Sequence, residues 1–413
     1  MSERQQVGLR RRVNLPLLSF YGIGTILGAG IYVLIGKVAG YAGMQTPIAF
    51  LLAALLAGLT AFSYAELSVR FPKSAGEAIY IQEGFNWKVL SIFVGLLIVA
   101  VGMTSTATLL NGLIGYLSEF FILPRWIVIV VSVLIMTGVV CWGIGESVLV
   151  ASIMTVVEII GLIIIIWVAR DSFSLVVERA PEVLKLNEAV IWSGVLLGAF
   201  VAFYAFIGFE DMVNIAEEVK EPAQTLPRGI IIALVVTTIF YILVALVSVL
   251  SVAPQQLAES DKPLALIYQI KTGEQAFFIA IISVISIFNG ALVQLVMASR
   301  VLYGMSRRAW LPPVLSQVNR KTHTPIPAIL SVSIVILLLA LILPLLSLAK
   351  ITSFITLTIF TLINLALLKI KLRGEQSPGF TIPLWVPIAG VLFSGVFVIY
   401  QLIVALILDT PVA

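Results

Sequence analysis

Long apolar runs separated by short polar punctuation organise this chain. A transmembrane helix needs about 20 apolar residues. By that measure the sequence predicts about eleven spans: Leu15–Val38, Thr46–Val69, Val89–Leu117, Trp126–Gly143, Ser147–Ala169, Ile191–Ala216, Ile230–Val252, Gln275–Met305, Ile326–Leu346, Ile351–Leu368 and Ile382–Leu408. Lys73–Phe85 is short and amphipathic and reads as a helix lying at the interface, and Ala253–Gly273 is a loop with room for a short helix. The pattern predicts an all-α polytopic membrane protein.

Two spans break their own pattern. Gly22–Gly36 is apolar enough to cross a bilayer but carries five glycines in fifteen positions, and each glycine costs a helix interior about 1 kcal/mol relative to alanine. Broken backbone in hydrocarbon is tolerated only where it is buried in protein or lines a cavity. Gly28-Ala29-Gly30 is therefore predicted to be an unwound hinge, with close helix packing through small residues as the alternative. The sixth span, GAFVAFYAFIGFEDMVNIAEEVKEP, has Gly208 near its middle followed by Glu210 and Asp211. Ionisable groups at membrane depth usually face a cavity or a partner. Capping a kinked half-helix would also suit these acids. The interruptions fall in spans one and six, the mark of two inverted five-helix repeats with a site at their interface. The repeats are predicted at residues 15–169 and 191–370, preceded by a cytoplasmic segment 1–14 and followed by one additional helix, 382–408.

Composition sharpens this picture. The 413 residues are 60% hydrophobic and 11% charged, against about 25% charged for a soluble domain. A net charge of +4 from clustered loop residues does not imply nucleic acid. One cysteine, Cys141, and one histidine, His323, leave no disulfide and no cysteine- or histidine-based metal cluster, and no cofactor is predicted. The basic segments Arg4–Arg12, Arg70–Lys88, Arg300–Lys321 and Lys369–Arg373 all fall on one side, which places the N-terminus in the cytoplasm. Without a nucleophile motif or paired histidines, an intramembrane enzyme is the weakest class. A channel or receptor-like sensor on the same scaffold is the competing one.

Four stretches together resemble the amino acid permeases of the amino acid–polyamine–organocation (APC) superfamily: GIGTILGAGIYVLIGKVAG, FSYAELSVRFPKSAGEAIY, FYAFIGFEDMVNIAEEVKEPAQTLPR and ASRVLYGMSRRAWLPPVL. The resemblance covers nearly the whole chain and implies a 5+5 inverted repeat with broken first and sixth helices, alternating access and secondary transport of amino acids or related amines. It implies that the backbone of Gly28, Ala29 and Gly30 binds the substrate carboxylate, as amides freed at a half-helix N-terminus can. Carbonyls around Ala205, Phe206, Ile207 and Gly208 would take the ammonium. Tyr204 matches an aromatic gate, with a packing aromatic as the alternative. Glu210 matches an acid that follows this hinge in many members. Ile26, Phe203 and Phe206 suit an apolar or neutral substrate side chain.

Glu158 lies mid-way along the fifth span, where some proton-coupled members carry a lysine, so the lysine mechanism does not transfer. A carboxyl there is a candidate proton site. A cation site is the second reading, and a fixed hydrogen bond to an eighth-span group such as Asn289 the third. A proton is preferred over sodium as the coupling ion. The third span has no acid before Glu119, which argues against a specialist for cationic substrates. Glu66 beside Arg70 reads as a salt bridge or gate brace, and Asn111 and Asn364 as interhelical hydrogen-bonders. Symport, exchange and oligomeric state stay open, and a prokaryotic inner membrane is the predicted location.

Overall fold

The computed structural model describes residues 13–28, 30–72, 76–142, 148–186, 188–216, 219–319, 322 and 324–408. The first predicted span is two helices, α1 (Leu15–Leu27) and α2 (Gly30–Ala42). Then come α3 (Thr46–Arg70), the short α4 (Gly76–Phe85), α5 (Lys88–Leu117), α6 (Arg125–Trp142) and α7 (Val148–Val168). The polar connection holds a 3-10 turn, Arg170–Leu175, and α8 (Val176–Val183). The sixth span is α9 (Ala189–Phe203) and α10 (Asp211–Asn214), followed by α11 (Pro222–Ser251), α12 (Pro254–Glu259), α13 (Pro263–Thr272), α14 (Phe277–Arg307), α15 (Ile326–Ile342), α16 (Leu345–Leu372) and α17 (Trp385–Leu408). Among the described residues, seven helical stretches are long and apolar enough to cross a membrane, with a bent eighth and two shorter apolar helices. One of the seven, Leu15–Arg70, has 56 residues, about 84 Å at 1.5 Å per residue. It is broken at Gly28 and turned at Gly43–Gln45, so it supplies two crossings.

Local chemistry sets the ends. Asn14 caps α1, its Oδ1 accepting from the Leu17 amide at 3.1 Å, and Pro16 sits in the first turn, where its missing N–H costs nothing. α13 stops at Gly273, whose φ of +72° glycine adopts without strain.

The packing has the order that an inverted repeat produces. α2 lies against α9, joining the first and sixth crossings. α3 lies along α11, the second with the seventh, and α5 along α14, the third with the eighth. The last pair comes close because it is lined with small residues, Gly102 facing Ala298 and Gly95 facing the Met305 thioether. At the heart of the bundle the rings of Phe203, Phe209 and Tyr64 converge on Phe360, with centroids 5.2–5.6 Å apart.

Two loops differ from the sequence reading. α4 does not lie at a surface: Glu77, Ala78, Ile79, Tyr80 and Ile81 are buried, and Gly84 abuts Ala366 of α16. Its apolar residues cover more than one face, so it is wedged between α5 and α16. The loop after α11 forms two helices, α12 and α13, and both are seated on the bundle. A Cβ on Gly36 of α2 would collide with the Leu257 carbonyl, and one on Gly115 of α5 with the Asp261 backbone. Lys37 Nζ donates to Ala258 O at 2.8 Å, and Lys262 pairs with Glu119.

The predicted Glu66–Arg70 pair forms, with Arg70 Nη2 at 2.7 Å from Glu66 Oε1. It also recruits Lys371 of α16 at 2.8 Å and the Ile382 amide at 2.8 Å. One carboxylate thus ties α3, α16 and the approach to α17 together. Asn364 bridges Ser63 and Thr60 of α3 at 2.6 and 2.9 Å. Asn111 reaches Ala340 O of α15 at 3.2 Å.

Candidate functional site

Two interruptions face each other at the centre of the bundle. α1 closes at Gly28, whose amide donates to Gly24 O at 2.9 Å, and the helix restarts at Gly30. Ala29, between them, lies outside the described residues. On the other side α9 tightens into a 3-10 turn over Tyr204–Phe206, and the chain is extended at Ile207. Gly208 has φ +133°, and a Cβ there would sit 2.5 Å from the Thr25 carbonyl oxygen. Glycine is needed here for both conformation and space. Glu210 folds back so that its Oε2 accepts the Gly208 amide at 2.8 Å.

The two breaks are joined directly. A Cβ on Gly30 would lie 2.6 Å from Ala205 Cα. Thr25 Oγ1 is 3.0 Å from Gly22 O and 3.1 Å from Gly208 O. The Tyr241 hydroxyl of α11 is 2.6 Å from Ile26 O, 2.8 Å from Ala205 O and 3.3 Å from Leu27 O. A phenol has one proton to donate, so three carbonyls released by the breaks share it, and uncompensated negative potential remains there. The first amides of α2 have no intrahelical acceptor. Carbonyls from both breaks, Ile26 and Leu27 of the first and Ala205 of the second, thus meet near the amides that open α2.

Between the two breaks is a cavity of about 30 Å³, room for a water-sized molecule, so anything larger requires its walls to separate. Of the predicted residues, Ile26, Gly28, Gly30, Tyr204, Ala205, Ile207 and Asn289 line it. Phe203 and Phe206 do not: their rings pack edge-on against Phe360 and Tyr241, at 5.6 and 5.0 Å. Gly208 serves through its carbonyl bond to Thr25. Tyr204 reaches across to α5, its hydroxyl 2.9 Å from Ser105 Oγ and donating to Ser105 O at 3.1 Å. Sequence reasoning missed Thr25, Ser105, Tyr241 and Gln294. No described residue lining the cavity is charged.

Glu158 lies behind this wall on α7 and is completely buried. Tyr32 donates to its backbone carbonyl at 2.7 Å. Its carboxyl oxygens have no hydrogen-bond partner among the described residues, and neither does the hydroxyl of Ser286 on α14. Asn289 faces the carboxyl without completing a bond of normal geometry. Outside the spans, burial pushes Glu77 of α4 up to about 8; its own backbone amide draws it down and the charge of Asp211 draws it up.

Paired helix breaks over a central cavity, in a bundle whose two halves pack span against span, define the class: an all-α polytopic membrane protein with the inverted-repeat fold. The overall path of the chain matches that of MhsT, solved in complex with L-phenylalanine, with a TM-score of 0.67, 13% identity, and coverage of 95% of this chain and 100% of that one. The chain belongs to the amino acid permease family, whose model matches residues 14–412. It is 30% identical over 387 residues to the protein named cationic amino acid transporter 2, vacuolar, of Arabidopsis thaliana, covering 88% of this chain but only 60% of that relative. It is also 30% identical over 398 residues to the branched-chain amino acid permease BcaP of Bacillus subtilis (strain 168), covering 90% of this chain and 83% of BcaP.

Proposed function

We propose that this protein carries amino acids across a membrane by alternating access and binds them as uncharged-side-chain zwitterions between the two helix breaks. The observation that carries this reading is the cavity itself. A zwitterion presents an anion and a cation a few ångströms apart, and the two breaks bring the amides that open α2 together with carbonyls that share a single hydroxyl proton. The carboxylate binds at Gly28–Gly30 and the ammonium at the carbonyls around Ala205–Ile207. Tyr204, tied to Ser105, closes over the ligand.

The relatives are named for both branched-chain and cationic substrates. The absence of any charged group among the described lining residues favours a neutral side chain here, since a buried ammonium or guanidinium needs a partner. Glu158 is the coupling group. It is one residue removed from the cavity through Asn289, buried, and uncommitted to any hydrogen bond, so a proton can join or leave it without dismantling a network. The N-terminus is cytoplasmic, and the membrane is the prokaryotic inner membrane.

Purified protein in liposomes, given a labelled amino-acid mixture with and without an inward proton gradient, tests this directly. Concentrative uptake under the gradient is expected. Flux that appears only with amino acids preloaded inside would replace symport by exchange. Failure of any amino acid to bind would overturn the substrate assignment itself.

A further inference from the structure

Gln294 of α14 lines the cavity and is 7% exposed. Its Nε2 donates to Asp211 Oδ2 at 3.2 Å. That bond orients the amide. With Asp211 Oδ2 as the acceptor, the NH2 end of the amide faces Asp211 and the oxygen faces away from it. Gln294 Oε1 is buried and accepts from no described residue.

Of the other polar side chains that line the cavity, Thr25, Thr155, Ser105 and Tyr204 are committed elsewhere. The hydroxyl proton of Thr25 is shared by Gly22 O and Gly208 O. Thr155 donates to Phe20 O at 3.1 Å. Ser105 and Tyr204 are engaged with each other. The lining also includes Tyr21 and Asn289, which have donors of their own, and the apolar Leu109, Ile207 and Val293; none of these described residues is bonded to the oxygen. A buried acceptor left unpaired is costly, and in a cavity built to open around a ligand the missing donor belongs to the ligand.

We infer that the transported amino acid carries a neutral hydrogen-bond donor on its side chain, a hydroxyl or carboxamide, and that Gln294 Oε1 reads it. This rests on the amino-acid cavity proposed above and narrows its substrate class. A methyl group in the donor's place would leave Oε1 unpaired in the closed complex. Sites that hydrogen-bond a substrate group discriminate strongly against analogues that lack it.

Threonine and valine make a direct test, because they share the α-ammonium, the carboxylate and nearly the same shape. Equilibrium binding of each to the purified full-length protein should favour threonine by at least about tenfold. Gln294→Met should bring the two within about twofold of each other, whatever it does to absolute affinity. Equal wild-type affinities overturn the assignment, and so does a threonine preference that survives in Gln294→Met. If that variant does not fold, the wild-type ratio decides alone. Equal binding of both amino acids leaves the transport reading standing, whereas binding of no amino acid removes both.

Discussion

Glu66 and Glu158 are the same residue type, each fully buried with 0% exposure, yet their surroundings are opposite. Glu66 is saturated: Arg70, Lys371 and the Ile382 amide occupy both of its oxygens. Glu158 has a tyrosine on its backbone, an asparagine nearby and, among the described residues, no partner on its carboxyl oxygens. Removing a charge from water costs several kcal/mol per ion. At Glu66 two cations and an amide offset that cost. At Glu158 no described residue offsets it. Burial alone does not distinguish the two carboxyls; their partners do.

The contrast predicts a graded series. Glu66→Gln should have the largest effect on stability, about 3–5 kcal/mol, because it leaves Arg70 and Lys371 with an uncompensated buried charge. A melting temperature in detergent within a degree or two of wild type would remove the distinction drawn here. Glu77 is the intermediate case, buried but outside the spans. The folded chain holds its proton up to about pH 8, whereas the unfolded chain releases it in the ordinary carboxylate range. Raising the pH between those limits strips the unfolded state first, so stability falls across that window. Glu77→Gln should flatten that decline, and a melting curve of unchanged pH dependence would contradict it. Glu158→Gln should disturb stability least, within about 1 kcal/mol, since no bond is lost. Its effect belongs to transport: gradient-driven uptake should vanish while exchange of internal for external substrate persists. Pronounced unfolding would place Glu158 with Glu66 instead.

The breaks were legible because they violate local rules. Glycines crowd Gly22–Gly36, and Glu210-Asp211 sits where hydrocarbon should be; neither is tolerated in an ordinary spanning helix. The residues that join the breaks were not legible. Tyr241 stands in an unremarkable apolar run, and its one signal was a mid-span hydroxyl that had to find an acceptor. Its acceptors, Ile26 O and Ala205 O, come from segments 215 and 36 residues away. Phe203 and Phe206 were matched to the site by neighbourhood in sequence. The 3-10 tightening after α9 and the ring of Phe360 directed them into the core instead. Gln294 carries no motif at all; its role depends on which end of its amide Asp211 holds.

The seating of α12 and α13 bears on how fast such a machine can run. Gly36 and Gly115 bring backbone against backbone, and Gly40 admits the Ala258 methyl, with no side chain of their own in the seam. Fixing a long side chain costs up to about 2 kcal/mol of rotamer entropy, and fixing a glycine side chain costs none. At the glycines themselves the close approach orders no side chain, so the ordering falls on Lys37, Lys262 and the buried Leu257, Leu264 and Ile267. The shut and parted positions can then lie close in free energy, so thermal motion exchanges them readily and the bound ligand decides which one prevails.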